Sequence, residues 1–473
     1  MKYETVIGLE IHVELKTQTK IFCSCSTAFG APPNTQICPV CTGMPGALPV
    51  LNKTAVEYAV RAGIALNCAI ASYSKLDRKN YVYPDLPKAY QISQYDLPIC
   101  TDGSMTIDTE TGEKTVRITR IHLEEDAGKL VHDQQHGTLI DCNRCSVPLI
   151  EIVTEPDLRS PVEAAVFLEK LRSILLYTDI SDLKMNEGSM RCDVNLSVRP
   201  FGESTFGARA EIKNLNSFQS VRRAAEYEAA RQIAAFEAGE TIVQQTRRFD
   251  QATGMTYAMR SKENADDYRY FPDPDLCAIE LSRAYIEEVA ASLPELPEVR
   301  KRRYMERYQI SLQFAAQLCL KRDDAEYFES VAEKTVYPKI AASLITGELF
   351  RLRLEEESIA SHIEADMLAA LCERIGNGAL SASAGKRVLK HMWEFGGDPA
   401  RIEEELGLTK LTDDKILKAH IEDALNSSPQ AVDDYRAGKK EALQAVIGIV
   451  MKSTNGRADP IKLRALLEEA IKF

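Results

Sequence analysis

Several short runs of this chain carry side chains able to do chemistry. Between Ile7 and Leu15 the apolar residues Ile7, Leu9, Ile11, Val13 and Leu15 alternate with Gly8, Glu10, His12 and Glu14. In a β-strand that period of two places Glu10, His12 and Glu14 on one face. The run from Arg191 to Arg199 repeats the pattern, with Cys192, Val194, Leu196 and Val198 inward and Asp193 and Asn195 outward. In a third run Ala208, Ala210 and Ile212 oppose Arg209, Glu211 and Lys213, and Glu124 and Glu125 add an acidic pair close to His122. Same-face neighbours on a strand stand about 6–7 Å apart, so carboxylates and an imidazole from adjacent strands can converge on one ion. Hard oxygen donors favour Mg²⁺. Alternating polar residues can equally well face water, and the spacing permits both.

A second kind of chemistry is written between Asp77 and Tyr95. Arg78, Lys79 and Lys88 share this segment with Tyr81, Tyr83 and Tyr90, while Pro84 and Pro87 fix the backbone locally. Three cations and three tyrosines in one loop suit a substrate grip, because a transferring phosphoryl group carries its charge on oxygen and must be neutralised. The loop is not a P-loop. The Gly-Lys pairs at Gly128, Gly385 and Gly438 lack both the upstream glycine and the following Ser or Thr. Any nucleotide is therefore bound by other means.

The third signal is Cys23-x-Cys25 followed by Cys38-x-x-Cys41, two short-spaced pairs suited to a tetrahedral thiolate site. Four thiolates leave no open position, so structural zinc is the expectation, against the alternative of buried reduced thiols. Cys142 and Cys145 form a further pair that reads as incidental.

The elements that must position these groups fall into three stretches. Residues 1–293 mix short strands with helices at Thr54–Ala65, Pro161–Leu176 and Ser217–Ala238, which predicts an α+β cradle on a mainly antiparallel sheet. Residues 294–410 turn to Ala, Leu, Glu, Lys and Arg at helical spacing and predict an all-α domain. Residues 411–473 predict a small helical tail after the break at Gly396–Pro399. A length of 473 residues agrees with several domains. The net charge of −12 argues against a general polyanion binder, so any nucleic-acid contact must be local. With neither a long apolar run nor a charged leader, the expected location is the bacterial cytosol, away from membrane.

The wording of these runs, from Ile7–Glu14 through Asp77–Tyr95, Ile121–Lys129 and Val147–Asp157 to Glu211–Ser217, resembles the B subunits of bacterial aspartyl/glutamyl-tRNA amidotransferases, the GatB family, in colinear order. The resemblance implies ATP-dependent conversion of Glu-tRNA(Gln) or Asp-tRNA(Asn) to the amide. It implies a Mg²⁺ neighbourhood of Glu10, His12, Glu125, Asp193 and Glu211, with Lys79 and Glu125 as catalytic groups. Substrate or ATP contacts are expected at Arg78, Tyr81, Tyr83, Lys88, Tyr90, Glu124, Arg191 and Arg247. A YqeY-like tail is expected to hold the body of the tRNA, with Lys452 and Arg457 as contacts. No amidase-like Gly-Ser-Ser-Gly-Gly run occurs, so the resemblance implies that ammonia comes from an amidase partner, the A component, with a small C component completing a heterotrimer. Two rival readings are a zinc-bearing tRNA adaptor without catalysis and a metal-dependent hydrolase built on Glu10, His12 and Glu125.

Overall fold

The computed structural model describes residues 2–133, 137–259, 268–353, 358–408, 411, 414–436, 439, 441–454, 458 and 460–471. It divides into two compact units, Met1–Leu296 and Pro297–Phe473.

In the first unit, strands run in chain order β1 (Tyr3–Glu14), β2 (Ala69–Ile70), β3 (Tyr73–Ser74), β4 (Asp77–Asn80), β5 (Tyr90–Ser93), β6 (Cys100–Thr109) and β7 (Gly112–Glu125). They continue with β8 (Lys129–Asp133), β9 (Gly137–Asp141), β10 (Pro148–Thr154), β11 (Met190–Pro200), β12 (Ala210–Lys213), β13 (Gln245–Asp250), β14 (Met255–Ala258), β15 (Phe271–Pro272) and β16 (Ile279–Glu280). Nine of them form one sheet in the order β14-β13-β12-β11-β1-β10-β7-β6-β2. Every neighbouring pair is antiparallel except β12 with β13. That pair is parallel because a helix of twenty residues crosses over between the two strands. A smaller sheet, β15-β4-β5, carries the cationic loop.

The helices are α1 (Lys53–Ala65), α2 (Pro161–Tyr177) and α3 (Phe218–Glu237). Asn52, Ser160 and Ser217 cap their N-termini through side-chain oxygens. Ile7, Leu9, Ile11 and Val13 of β1 share one buried cluster with Ile150 and Ile152 of β10, Val194 and Leu196 of β11, Phe167 and Leu171 of α2 and Val221 of α3. The apolar face of the sheet is thus covered by helices, which leaves the other face to the polar residues.

On the covered side, Glu228 of α3 is fully buried and accepts bonds from Arg231 Nη2 (2.6 Å), Gln232 Nε2 (2.9 Å) and Thr256 Oγ1 (2.9 Å), with Arg247 Nε 3.1 Å away. Burial would raise this carboxyl, but the Arg231 guanidinium and its other donors hold it below its usual range. Replacing Glu228 by Ala leaves Arg247 as an uncompensated buried cation. The expected loss is about 3–5 kcal/mol, read from urea unfolding of the full chain. An unchanged midpoint would show that the network is dispensable.

A helix at Arg283–Ser292 closes the first unit, and the second, helical unit begins with Pro297–Tyr308. It holds two separate apolar clusters, one of residues between Tyr304 and Leu408 and one of residues between Leu417 and Ile471. The latter is built by Asp414–Ser427, Pro429–Arg436, Ala442–Ser453 and Pro460–Ile471.

Candidate active site

Register on the uncovered sheet face determines which groups meet. Glu10 pairs with Asp193 across β1 and β11, and Asn195 pairs with Glu211 across β11 and β12. The carboxylates of Glu10, Asp193 and Glu211 each present an oxygen within 4.8 Å of the others. Asn195 Nδ2 donates to Glu10 Oε1 at 2.8 Å, and Lys213 Nζ reaches Asp193 at 2.5 Å and Glu211 at 2.7 Å. An ammonium between two of the three acids shows how strongly the group attracts positive charge. Burial works against the Lys213 charge, but Asp193 and Glu211 more than offset it and raise its pKa.

One row along the same face, His12 lies opposite Glu151 of β10, which lies opposite His122 of β7. His12 Nε2 stands 3.8 Å from both Glu124 Oε1 and Glu151 Oε2. An octahedral ion with ligands at about 2.1 Å sets neighbouring ligands about 3 Å apart and opposite ones about 4.2 Å apart, and the observed spacing lies within those bounds. His122 Nε2 bonds Glu151 Oε2 at 2.7 Å, and Ser93 Oγ donates to Glu124 Oε2 at 2.9 Å. Burial, then the Glu151 charge, push the Glu124 carboxyl up. Burial would do the same to Glu151, but His122, with His12 and Lys79, holds that carboxyl well down. Both donor sets therefore fit a hard divalent cation.

The cationic loop reaches the second group. Lys79 is close enough for its charge to act on both Glu124 and Glu151, and its Nζ lies 4.9 Å from the Tyr268 ring centroid and 5.6 Å from that of Tyr81. Burial and the Glu124 charge raise the Tyr81 phenol. Arg78 is tied to Asp273 (2.7 Å) and Asp275 (2.8 Å) and lies over Tyr90 at 4.4 Å, so it braces the loop. Tyr83 is exposed near the loop tip. Arg191 reaches Asp126 at 2.6 Å. Burial and neighbouring Asp126 push Glu14 up to about 8, while Arg191 and Arg144 overcome burial and bring Asp126 down to about 2.

Three expected residues, Glu125, Lys88 and Arg247, are placed elsewhere. Glu125 follows Glu124 on a strand and so points to the opposite side. There it pairs with Lys88 and accepts from Ile92 N (2.8 Å) and Ser146 Oγ (2.5 Å), outside both acidic groups. Arg247 shares its strand face with core Phe249 and is spent on Glu228 and Thr256. Glu151 and Tyr268 were given no role by the sequence reading, and His122 and Lys213 were placed on their strands by it without one. For Glu151 the signal was present as a lone acid between Ile150 and Ile152. In the tail, Lys452 is exposed near the end of Ala442–Ser453, whereas Arg457 lies outside the described residues.

The four knuckle cysteines meet. Cys23, Cys25, Cys38 and Cys41 offer sulfurs within 4.8 Å of one another, and Cys38 and Cys41 are 3.9 Å apart. Zn–S bonds of about 2.3 Å at tetrahedral angles set the sulfurs about 3.8 Å apart, so the donors fit zinc. Lys20 Nζ, 3.5 Å from Cys41 Sγ, offsets thiolate charge. Hydrogen bonding from Cys23 is the largest influence that brings the Cys41 thiol down to about 4.

Comparison with known proteins identifies the family. Residues 5–287 match the GatB/GatE catalytic domain, and residues 326–471 match the GatB domain. The chain belongs to the GatB family. It is similar to the B subunit of the aspartyl/glutamyl-tRNA(Asn/Gln) amidotransferase of Caldicellulosiruptor saccharolyticus, at 52% identity over 478 residues covering all of both chains. The protein of the same name from Caldanaerobacter subterraneus subsp. tengcongensis is 50% identical over the whole of both chains, and that of Brevibacillus brevis is 46% identical over 99% of each. The chain is therefore part of an enzyme complex, and a large, mainly antiparallel sheet followed along the chain by helical domains is the fold of this family. Among the described residues no helix is long and apolar enough to cross a membrane.

Proposed function

We propose that the uncovered face of the large sheet activates the side-chain carboxylate of Glu on tRNA(Gln), or of Asp on tRNA(Asn), with ATP, and then lets ammonia convert it to the amide. The observation that carries this reading is the meeting of two oxygen-rich donor groups on one face beside Lys79. A carboxylate is too poor an electrophile for ammonia. Transfer of the γ-phosphoryl group to it makes an acyl phosphate, from which ammonia displaces phosphate. His12, Glu124 and Glu151 would hold one divalent cation, and Glu10, Asp193 and Glu211 a second. Such an ion supplies positive charge beside the phosphoryl oxygens. Lys79, fixed between Tyr81 and Tyr268, adds a further positive charge from the loop. His122 fixes the Glu151 carboxylate, and Ser93 fixes that of Glu124.

Ammonia is supplied by the amidase partner, with the small third component in the same cytosolic complex, and the helical tail holds the tRNA body with Lys452 among its contacts. The reading is tested with the reconstituted complex, ammonium chloride and each charged tRNA. ADP should form only when Glu-tRNA(Gln) or Asp-tRNA(Asn) is present, with an equal amount of amide. ADP formation indifferent to charged tRNA, or amide without ADP, would overturn it.

A further inference from the structure

Beside the acidic groups, four tyrosines from distant parts of the chain form one aromatic wall. Tyr81 meets Tyr268 edge-on at 5.7 Å between ring centroids, and Tyr268 meets Tyr270 edge-on at 6.3 Å. Tyr270 lies flat on Tyr95 at 4.4 Å with 13° between the planes. The inner end of this wall touches the site already described, since Lys79 lies against Tyr81 and Tyr268 and the charges of Glu124 and Glu151 act on Tyr270. Burial is the main cause that raises the Tyr270 phenol.

The outer end differs. Tyr95 is 63% exposed, so the burial of its ring does little for the fold. Its backbone is nevertheless held firmly. The Tyr95 N–H donates to Oδ2 of buried Asp77 at 3.0 Å. The preceding Gln94 side chain donates to Lys75 O at 3.0 Å and accepts from Ile99 N at 3.1 Å and Leu123 N at 2.9 Å. An exposed ring held flat by a second ring on fixed backbone is a pre-formed stacking surface, which loses little entropy when a ligand is gripped. A cation accompanies it. Arg120 projects from the same face of β7 as His122, its charge acts on Tyr270, and it makes no ion pair among the described residues. A π-face with a guanidinium in electrostatic reach of the ring behind it, at the edge of a site for phosphoryl transfer, matches the two recognisable parts of a nucleotide.

We propose that Tyr95, backed by Tyr270, is the platform on which a purine ring of the substrate stacks, with Arg120 as the cation for that nucleotide's phosphate. The assignment rests on the proposed function of this face. The purine can come from ATP or from the terminal adenosine of the charged tRNA, and the test separates the two.

The full-length chain is titrated in two arms, with a 2-aminopurine analogue of ATP and with tRNA carrying 2-aminopurine in place of its terminal adenine. Stacking quenches 2-aminopurine fluorescence, so one arm should show quenching on binding. Tyr95→Ala should abolish that quenching and, in the reconstituted complex, raise KM for the same substrate on the order of ten-fold with kcat almost unchanged. Tyr95→Phe and Tyr95→Trp should retain both properties, because the face and not the hydroxyl is used. Arg120→Gln should raise the same KM. The platform is overturned if neither arm is quenched in the wild type, or if Tyr95→Ala changes neither quenching nor KM. Failure of the wider reading looks different, because the unmodified complex would then make no ADP in response to charged tRNA.

Discussion

Replacing Glu124 by Gln is expected to lower tRNA-dependent ADP formation by roughly 10²- to 10³-fold while charged tRNA still binds. The substitution keeps the volume of the side chain and its bond from Ser93, and removes only the charge that faces His12 and Glu151. Filter binding of charged tRNA and ADP release are the two measurements, and their separation is the point of the experiment. The neighbouring change, Glu125→Gln, should behave differently. Glu125 is 2% exposed and paired with half-buried Lys88, so its neutralisation leaves that ammonium without its counter-charge and costs about 3 kcal/mol of stability. Activity should fall with the folded fraction and no further. If Glu125→Gln proved stable yet inactive, while Glu124→Gln turned over normally, the divalent-cation role would return to Glu125.

The contrast between these two acids also shows how far the sequence could be read. Strand period alone placed Glu10, His12, Asp193 and Glu211 on faces opposite their apolar neighbours, and the register of β1 with β11 brings Glu10 to Asp193. The same period, applied to Ile121 and Leu123, separates Glu124 from Glu125, because residues one apart on a strand cannot share a face. Arg247 was legible in the same way from Phe249, two positions on and buried. The order of strands in the sheet was not legible. His12 meets Glu151 only because β10 lies beside β1, a long-range pairing that no local pattern encodes. The approach of Tyr268 and Tyr270 to Tyr81 and Tyr95 likewise depends on the pairing of β15 with β4. Helices were easier, since each of α1, α2 and α3 announces its start with a side-chain cap and holds its period for several turns.

Substituting Cys41 by Ser is expected to remove one equivalent of zinc per chain and to lower the melting temperature by on the order of 5 °C. Zinc contributes to folding what its ligands cannot gain without it, and between Cys23 and Cys41 the described residues form no helix and no strand. The knuckle is also tied to the segment that carries Glu125. Asn143 accepts from Gln36 N at 2.8 Å and donates to Pro32 O at 2.7 Å, while Lys20 spans from Cys41 Sγ to Cys142 O. Ile21 N donates to the carbonyl of Ser146, whose hydroxyl donates to Glu125. Loss of the metal should therefore loosen the Glu125–Lys88 region first, seen as faster amide exchange at Asp141–Val147, and leave the strands under Glu10 and His12 protected. Cys142→Ser serves as the control: Cys142 lies outside the four-sulfur group, so zinc content and melting temperature should stay at their wild-type values. Metal analysis giving no zinc in the wild-type chain, or equal zinc in Cys41→Ser, would remove the tetrathiolate assignment.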